Sequence, residues 1–154
     1  MSNLTVWRLC AAKYAATAFS GEGAEYYGGR WSPAGIRIAY CAESRALAVL
    51  ETIANAEERD RLLAREWIFI CADVPGELIV KPGRLPQGWR QYPHPPETQT
   101  YGAEWVQSRG SGALRVPSAV VLGEFNYLLN PAHPDFKRVK IGKSEPFSFD
   151  PRLA

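Results

Sequence analysis

The chain is expected to fold as one α+β domain over residues 1–154, with a mixed and mostly antiparallel sheet, and three observations predict this. Strand-like segments outnumber helical ones and do not alternate with them, which argues against a regular series of βαβ units. The chain has 13 glycines and 12 prolines in 154 residues, above the usual combined share of roughly 12%, and asks for many turns and shaped loops rather than a helical bundle. Its length suits a single core, since about 150 residues is one domain's worth of chain.

Each element has a local reason. Leu4 to Leu9 is β-prone and makes the first strand, and the alanine-rich stretch Ala11 to Thr17 follows as a short helix. Phe19 to Gly35 holds five glycines in 17 residues, the mark of a structured loop whose backbone turns sharply or approaches a ligand closely. Ile36 to Cys41 reads as a buried strand, and Ser44 as the N-cap of a helix running to about Ala56. Trp67 to Val74 is a second buried strand closed by Pro75 and Gly76, with a short strand over Leu78 to Val80. Residues 82 to 98 are proline- and glycine-rich loop, and Thr100 to Arg109 is helical. Ala113 to Leu122 is a strand with an irregular point at Pro117. The segment from Asn126 to Pro134 is polar enough to be a turn. Val139 with Ile141, then Phe147 with Phe149, show the alternation of two terminal strands.

Charge and composition exclude several classes. Eighteen basic and sixteen acidic residues give a net charge of +2, too even for a protein whose main partner is a long phosphate backbone. The one concentration is Lys137, Arg138, Lys140 and Lys143, without which the balance falls to −2. A solvated basic face accounts for it more readily than a nucleic-acid patch. Cys10, Cys41 and Cys71 are odd in number, widely spaced and set among apolar neighbours, which suits reduced core thiols in the cytoplasm. Two distant histidines and no Cys-x-x-Cys make no metal site, and Trp7, Arg8 and Lys13 break any signal-peptide core. The longest apolar run, Trp67 to Ala72, is too short to span a bilayer.

Four positions bear on chemistry. On the helix after Ser44, at about 100° per residue, Leu47, Leu50 and Ala54 span one face, with Ala46, Val49 and Ile53 continuing it on one side. Glu51 falls about 40° from Leu47 on the other side, at the border of the buried face. A border glutamate is either a snorkelling or capping residue or, with a glycine loop and Tyr40 leading into its helix, a catalytic carboxylate. Arg30 follows Gly28 and Gly29 and precedes Trp31, so its planar fork either captures a phosphate bidentately or stacks on the tryptophan. Ser118 lacks a Gly-x-Ser-x-Gly setting and reads as a hydrogen-bond donor to a neighbour or a ligand, not a nucleophile. No dinucleotide fingerprint or P-loop is present, since Tyr26 stands where the third glycine would fall and no Gly-Lys-Ser/Thr occurs.

An ordered set of segments resembles the RES-domain toxins of bacterial toxin–antitoxin pairs. They are Trp7-Arg8, Phe19-Ser20-Gly21-Glu22-Gly23-Ala24, Gly28-Gly29-Arg30-Trp31-Ser32, Tyr40 before Ala42-Glu43-Ser44, and Ala46-Leu47-Ala48 leading to Glu51. Leu85-Pro86-Gln87-Gly88-Trp89, Val116-Pro117-Ser118-Ala119, Asn126-Tyr127-Leu128-Leu129-Asn130-Pro131 and Asp150-Pro151-Arg152-Leu153 complete it. Ser32 departs from the asparagine common in the family, and Pro151 is an insertion in the terminal motif. The resemblance implies a fold similar to ADP-ribosyltransferase toxins and destruction of NAD as substrate, by hydrolysis or phosphorolysis of the nicotinamide–ribose bond. It implies Glu51, Arg30 and Tyr40 as catalytic, and Arg8, Arg30, Tyr40, Ser118 and Asn126 as NAD-binding, with no cofactor and no metal. It further implies a helix-turn-helix (Xre-like) antitoxin partner, through which alone DNA would be touched. The oligomeric state stays open, a homodimer included. Breaking that bond builds positive charge on the ribose, so one carboxylate facing the cation is required, and Glu51 is the candidate. Transfer of ADP-ribose to a protein, or a non-enzymatic nucleotide- or RNA-binding module, are the alternatives.

Overall fold

A computed structural model describes residues 2–154. Its strands are β1 (Leu4–Ala11), β2 (Ala39–Ala42), β3 (Trp67–Val74), β4 (Ile79–Val80), β5 (Ala113–Pro117), β6 (Phe125–Leu129), β7 (Lys140–Ile141) and β8 (Glu145–Phe147). Its α-helices are α1 (Glu22–Tyr27), α2 (Arg45–Asn55), α3 (Asp60–Ala64) and α4 (Pro96–Ser108). The strands form one sheet in the order β4-β5-β6-β2-β1-β3-β7, with β8 also on β3. Only β4 and β5 run parallel, the other pairings being antiparallel. The architecture is the expected α+β class.

The sheet is two paired halves joined at a narrow point. β1 and β3 register over their full length, from Leu4 opposite Val74 to Ala11 opposite Trp67. β2, β6 and β5 register just as regularly, Tyr40 facing Leu128 and Leu128 facing Leu114. Between the halves, β1 meets β2 only at Trp7 and Ala42. Beyond that point, the Tyr40 carbonyl accepts the Arg8 guanidinium at 2.9 Å.

Alternation along the strands sorts the side chains by face. The back face carries one apolar cluster that includes Val6, Cys10, Ile70, Ala113, Tyr127 and Leu129. The front face carries two. One lies under α2, with Leu9, Ala42, Leu47 and Phe69, and the other under α4, with Trp31, Trp105, Leu114, Val116 and Leu128. Each fully buried side chain such as Leu128 or Leu47 contributes about 1.5–3 kcal/mol. The row Trp7, Ala42, Asn126 and Val116 crosses the front between these clusters. A polar residue, Asn126, therefore stands at the seam.

Several expectations are met closely. Ser44 caps α2, its Oγ accepting from the Leu47 amide at 3.0 Å, and Trp67–Val74 is a strand as read. Others need correction. The Asn126 to Pro134 stretch begins as β6, an interior strand bonded on both sides, because its polar ends bracket a segment whose two faces are both covered. The strand from Ala113 ends at Pro117, and Ser118 opens a turn. α4 starts at Pro96, where a proline suits the first helical turn because it has no amide to leave unpaired. The alanine-rich helix is a 3-10 turn over Ala12–Thr17, the glycine loop contains α1, and α3 was not anticipated. No helix among the described residues is long and apolar enough to cross a membrane.

Candidate active site

The α2 wheel is turned relative to expectation. Leu47 and Ala48 are buried, whereas Leu50 is 41% exposed and Ala54 is exposed. The inward side of the helix thus runs through Leu47, Ala48, Glu51 and Thr52, and Glu51 is directed at the sheet rather than at its margin.

Two long-range donors meet its carboxylate. Ser118 donates its hydroxyl to Glu51 Oε2 at 2.8 Å, and the Asn126 side-chain amide donates to the same oxygen at 2.6 Å. Ser118 has no freedom in this role. Its Oγ accepts the amides of Val120 at 3.1 Å and Val121 at 3.0 Å. With both lone pairs taken, the single proton must go outward, and an acceptor-only carboxylate is its match. Because both donors fall on Oε2, Oε1 has no side-chain donor among the described residues. The Asn126 Oδ1 is buried without a partner, a second acceptor beside that carboxylate.

Arg30 comes from the glycine loop. Its Nη1 donates to the carbonyls of Trp89 at 2.8 Å and Gln91 at 2.7 Å, and its ring neighbour Trp31 stacks on Trp89 with centroids 6.5 Å apart. Burial lowers the affinity of this guanidinium for its proton, and the Glu51 carboxylate pulls it back up. That attraction places Arg30 within electrostatic reach of Glu51. The guanidinium does not stack on Trp31 among the described residues but binds the Trp89 and Gln91 carbonyls, leaving Nε and Nη2 without protein acceptors.

Tyr40 supports the loop from beneath. Its hydroxyl lies 2.7 Å from Ser32 Oγ and accepts the Trp31 amide at 3.2 Å. Burial pushes its pKa up to about 12, so the phenol stays protonated at neutral pH. Arg8 stands apart from this group. Alternation along β1 places it on the back face with Val6 and Cys10, and it touches the site only through the Tyr40 carbonyl. The structure therefore joins Glu51, Ser118 and Asn126 directly, brings Arg30 near them, ties Tyr40 to Arg30's loop, and leaves Arg8 behind the sheet.

Other contributors were not visible in the sequence. Gln99 on α4 donates to the carbonyls of Gly29 at 3.1 Å and Ser32 at 3.2 Å and lies 3.2 Å from His94 Nε2. Gly102 allows α4 to press against the loop, for a Cβ there would stand 1.7 Å from the Trp31 carbonyl oxygen. Gly28 has φ 73°, a left-handed backbone that other residues adopt only with strain.

A carboxylate fixed by two donors on a mixed sheet with helices packed over it defines an α+β domain built around one acidic group. The chain belongs to the RES domain family, which it matches over residues 5–150. It is 40% identical over 154 residues to a Prs ADP-ribosylating toxin of Sphingobium sp., covering 96% of this chain and 94% of that one. It is 37% identical over 152 residues to a protein called Toxin Res from Yersinia enterocolitica, covering 97% and 99%. In fold, it matches a chain of the M. tuberculosis MbcT–MbcA toxin–antitoxin complex with a TM-score of 0.78 at 18% identity, over 95% of this chain and 85% of the other.

Proposed function

We propose that this RES-domain protein is the toxin of a toxin–antitoxin pair and that it cleaves the nicotinamide–ribose bond of NAD. The observation that carries the reading is the Glu51 carboxylate, oriented through Oε2 by Ser118 and Asn126 with Oε1 available. In the reaction, the C1′–N bond breaks, its electron pair leaves with neutral nicotinamide, and positive charge spreads over the ribose ring. Oε1 of Glu51 receives the ribose hydroxyls and faces that charge, which costs no reorganisation at the moment of bond breaking. A nucleophile then forms the new bond at C1′ and loses its proton. Arg30 holds the pyrophosphate through Nε and Nη2. Tyr40 acts through the loop it braces and through its ring toward the nicotinamide end.

Water and phosphate are the acceptors that make the chain an NAD-degrading enzyme and explain growth arrest by loss of NAD. A protein acceptor is the second reading, favoured by the 40% identity to a relative called an ADP-ribosylating toxin. Release of nicotinamide from NAD by the purified chain is expected, with loss of at least about 100-fold in turnover for Glu51→Gln at unchanged circular dichroism. No release by wild-type protein overturns the enzymatic reading, and full activity in the variant removes Glu51 from its role. NAD labelled in the ADP-ribose moiety, added with cell extract, separates a protein acceptor from water and phosphate. An antitoxin of the helix-turn-helix (Xre-like) class is the expected partner, and its co-expression should restore growth.

A further inference from the structure

Residues 89 to 91 cross between the two sides of the site. The carbonyls of Trp89 and Gln91 both lie on Arg30 Nη1, at 2.8 and 2.7 Å. The residue between them, Arg90, donates Nε to the Ala119 carbonyl at 3.2 Å. Ala119 adjoins Ser118, whose hydroxyl is on the Glu51 carboxylate. One arginine side chain thus spans from Arg30 toward the turn that holds Glu51. Arg90 is exposed and forms no ion pair among the described residues.

Donor counting gives this residue a purpose. A guanidinium has five N–H donors, and Arg30 spends its Nη1 pair on carbonyls. What remains is the Nε–Nη2 edge, which matches the two oxygens of a single phosphate. A pyrophosphate presents two phosphates, each charged, so Arg30 alone leaves one unmatched. Arg90 spends only Nε and keeps four donors on its two terminal nitrogens, on a residue whose two chain neighbours hold Arg30 and whose Nε holds the carbonyl next to Ser118.

We propose that Arg90 is the second guanidinium of a pyrophosphate subsite, Arg30 taking one phosphate of the dinucleotide and Arg90 the other, so that the chain selects dinucleotides over their nucleoside fragments. This rests on the NAD reading above. The two phosphates also offer Arg90 a partner stronger than the neutral carbonyl it holds in the free protein, because a charged acceptor roughly doubles a hydrogen bond.

The test compares NAD with nicotinamide riboside, which has the scissile bond and no phosphate, in wild type, Arg90→Ala and Arg90→Lys. Arg90→Ala is expected to raise KM for NAD about 10- to 100-fold with a smaller change in kcat. The ratio of kcat/KM for NAD to that for the riboside should fall by a similar factor, and Arg90→Lys should restore part of it, since lysine keeps the charge without the fork. An unchanged ratio means that Arg90 only braces the strap, and overturns the proposal. Titration of ADP-ribose into Glu51→Gln, with and without Arg90→Ala, reads the subsite without turnover. A tenfold weaker Kd in the double variant upholds the subsite even where wild type releases no nicotinamide, and equal affinities sink it.

Discussion

Replacing Ser118 by alanine removes one oxygen from a position that is fully buried and ends three hydrogen bonds at once. The bond to the Glu51 carboxylate is the costly one, because hydrogen bonds to charged groups contribute about 1.5–3 kcal/mol. The Val120 amide lies in an exposed turn, where water can replace the lost acceptor at little cost. Stability should therefore fall by about 1.5–3 kcal/mol, or roughly 3–12 °C in Tm for a domain of this size. Glu51 keeps the Asn126 amide on Oε2 but gains a free rotation about it, and turnover should fall about 10- to 100-fold. Urea unfolding of wild type, Ser118→Ala, Glu51→Ala and the double variant forms a cycle that isolates the pair. A coupling energy of about 1–3 kcal/mol is expected for groups in direct contact. Additivity within about 0.5 kcal/mol would refute the argument that Ser118 is held as an obligate donor to Glu51.

Two further outcomes follow from the packing around the loop. Gly102→Ala sets a Cβ into the Trp31 carbonyl, 1.7 Å away, so α4 and the glycine loop must separate; a loss of about 3 kcal/mol or more in urea is expected, with KM for NAD raised, and a variant as stable as wild type would contradict the contact. For pH, His94 is held below the 6.5 of a free imidazole, first by burial and then by the Arg30 charge. The unfolded chain therefore takes up this proton first as pH falls through 6.5, and His94's share of stability, full above that value, declines until the folded imidazole also protonates. His94→Gln should flatten the urea midpoint between pH 7.5 and 5.5, and an unaltered slope would show that another group sets it. Two of the carboxylates paired with arginine, Glu145 and Asp150, are held below their usual values, first by their hydrogen bonds to Arg45 and Arg152, and titrate below this window.

Local pattern was enough for much of the fold. Ser44 before an apolar helix, the β-branched run at Trp67 to Val74 and the glycine cluster before Arg30 each carry their signal within a few residues, and each is where it was expected. β6 hides from a local pattern because an interior strand covered on both faces loses its alternation, and Asn126 within it and Asn130 after it imitate a turn. α4 was read short because Pro95 and Pro96 resemble loop until the first helical turn is known to begin there.

Glu51 divides what sequence and structure each decide. The sequence alone placed Arg30, Tyr40, Glu51 and Ser118, in that order, in segments that resemble the RES family, in a chain of net charge +2. It also determined that Glu51 lies on a helix beside Leu47. It could not determine which way that helix faces, because a helical wheel sends a carboxylate outward unless something inside receives it. Its donors, Ser118 and Asn126, lie 67 and 75 residues away and reach it only when β6 pairs with β2 and β5 with β6 in the sheet. Local periodicity has no access to contacts of that range, so the tertiary structure alone turned Glu51 inward onto Ser118 and Asn126.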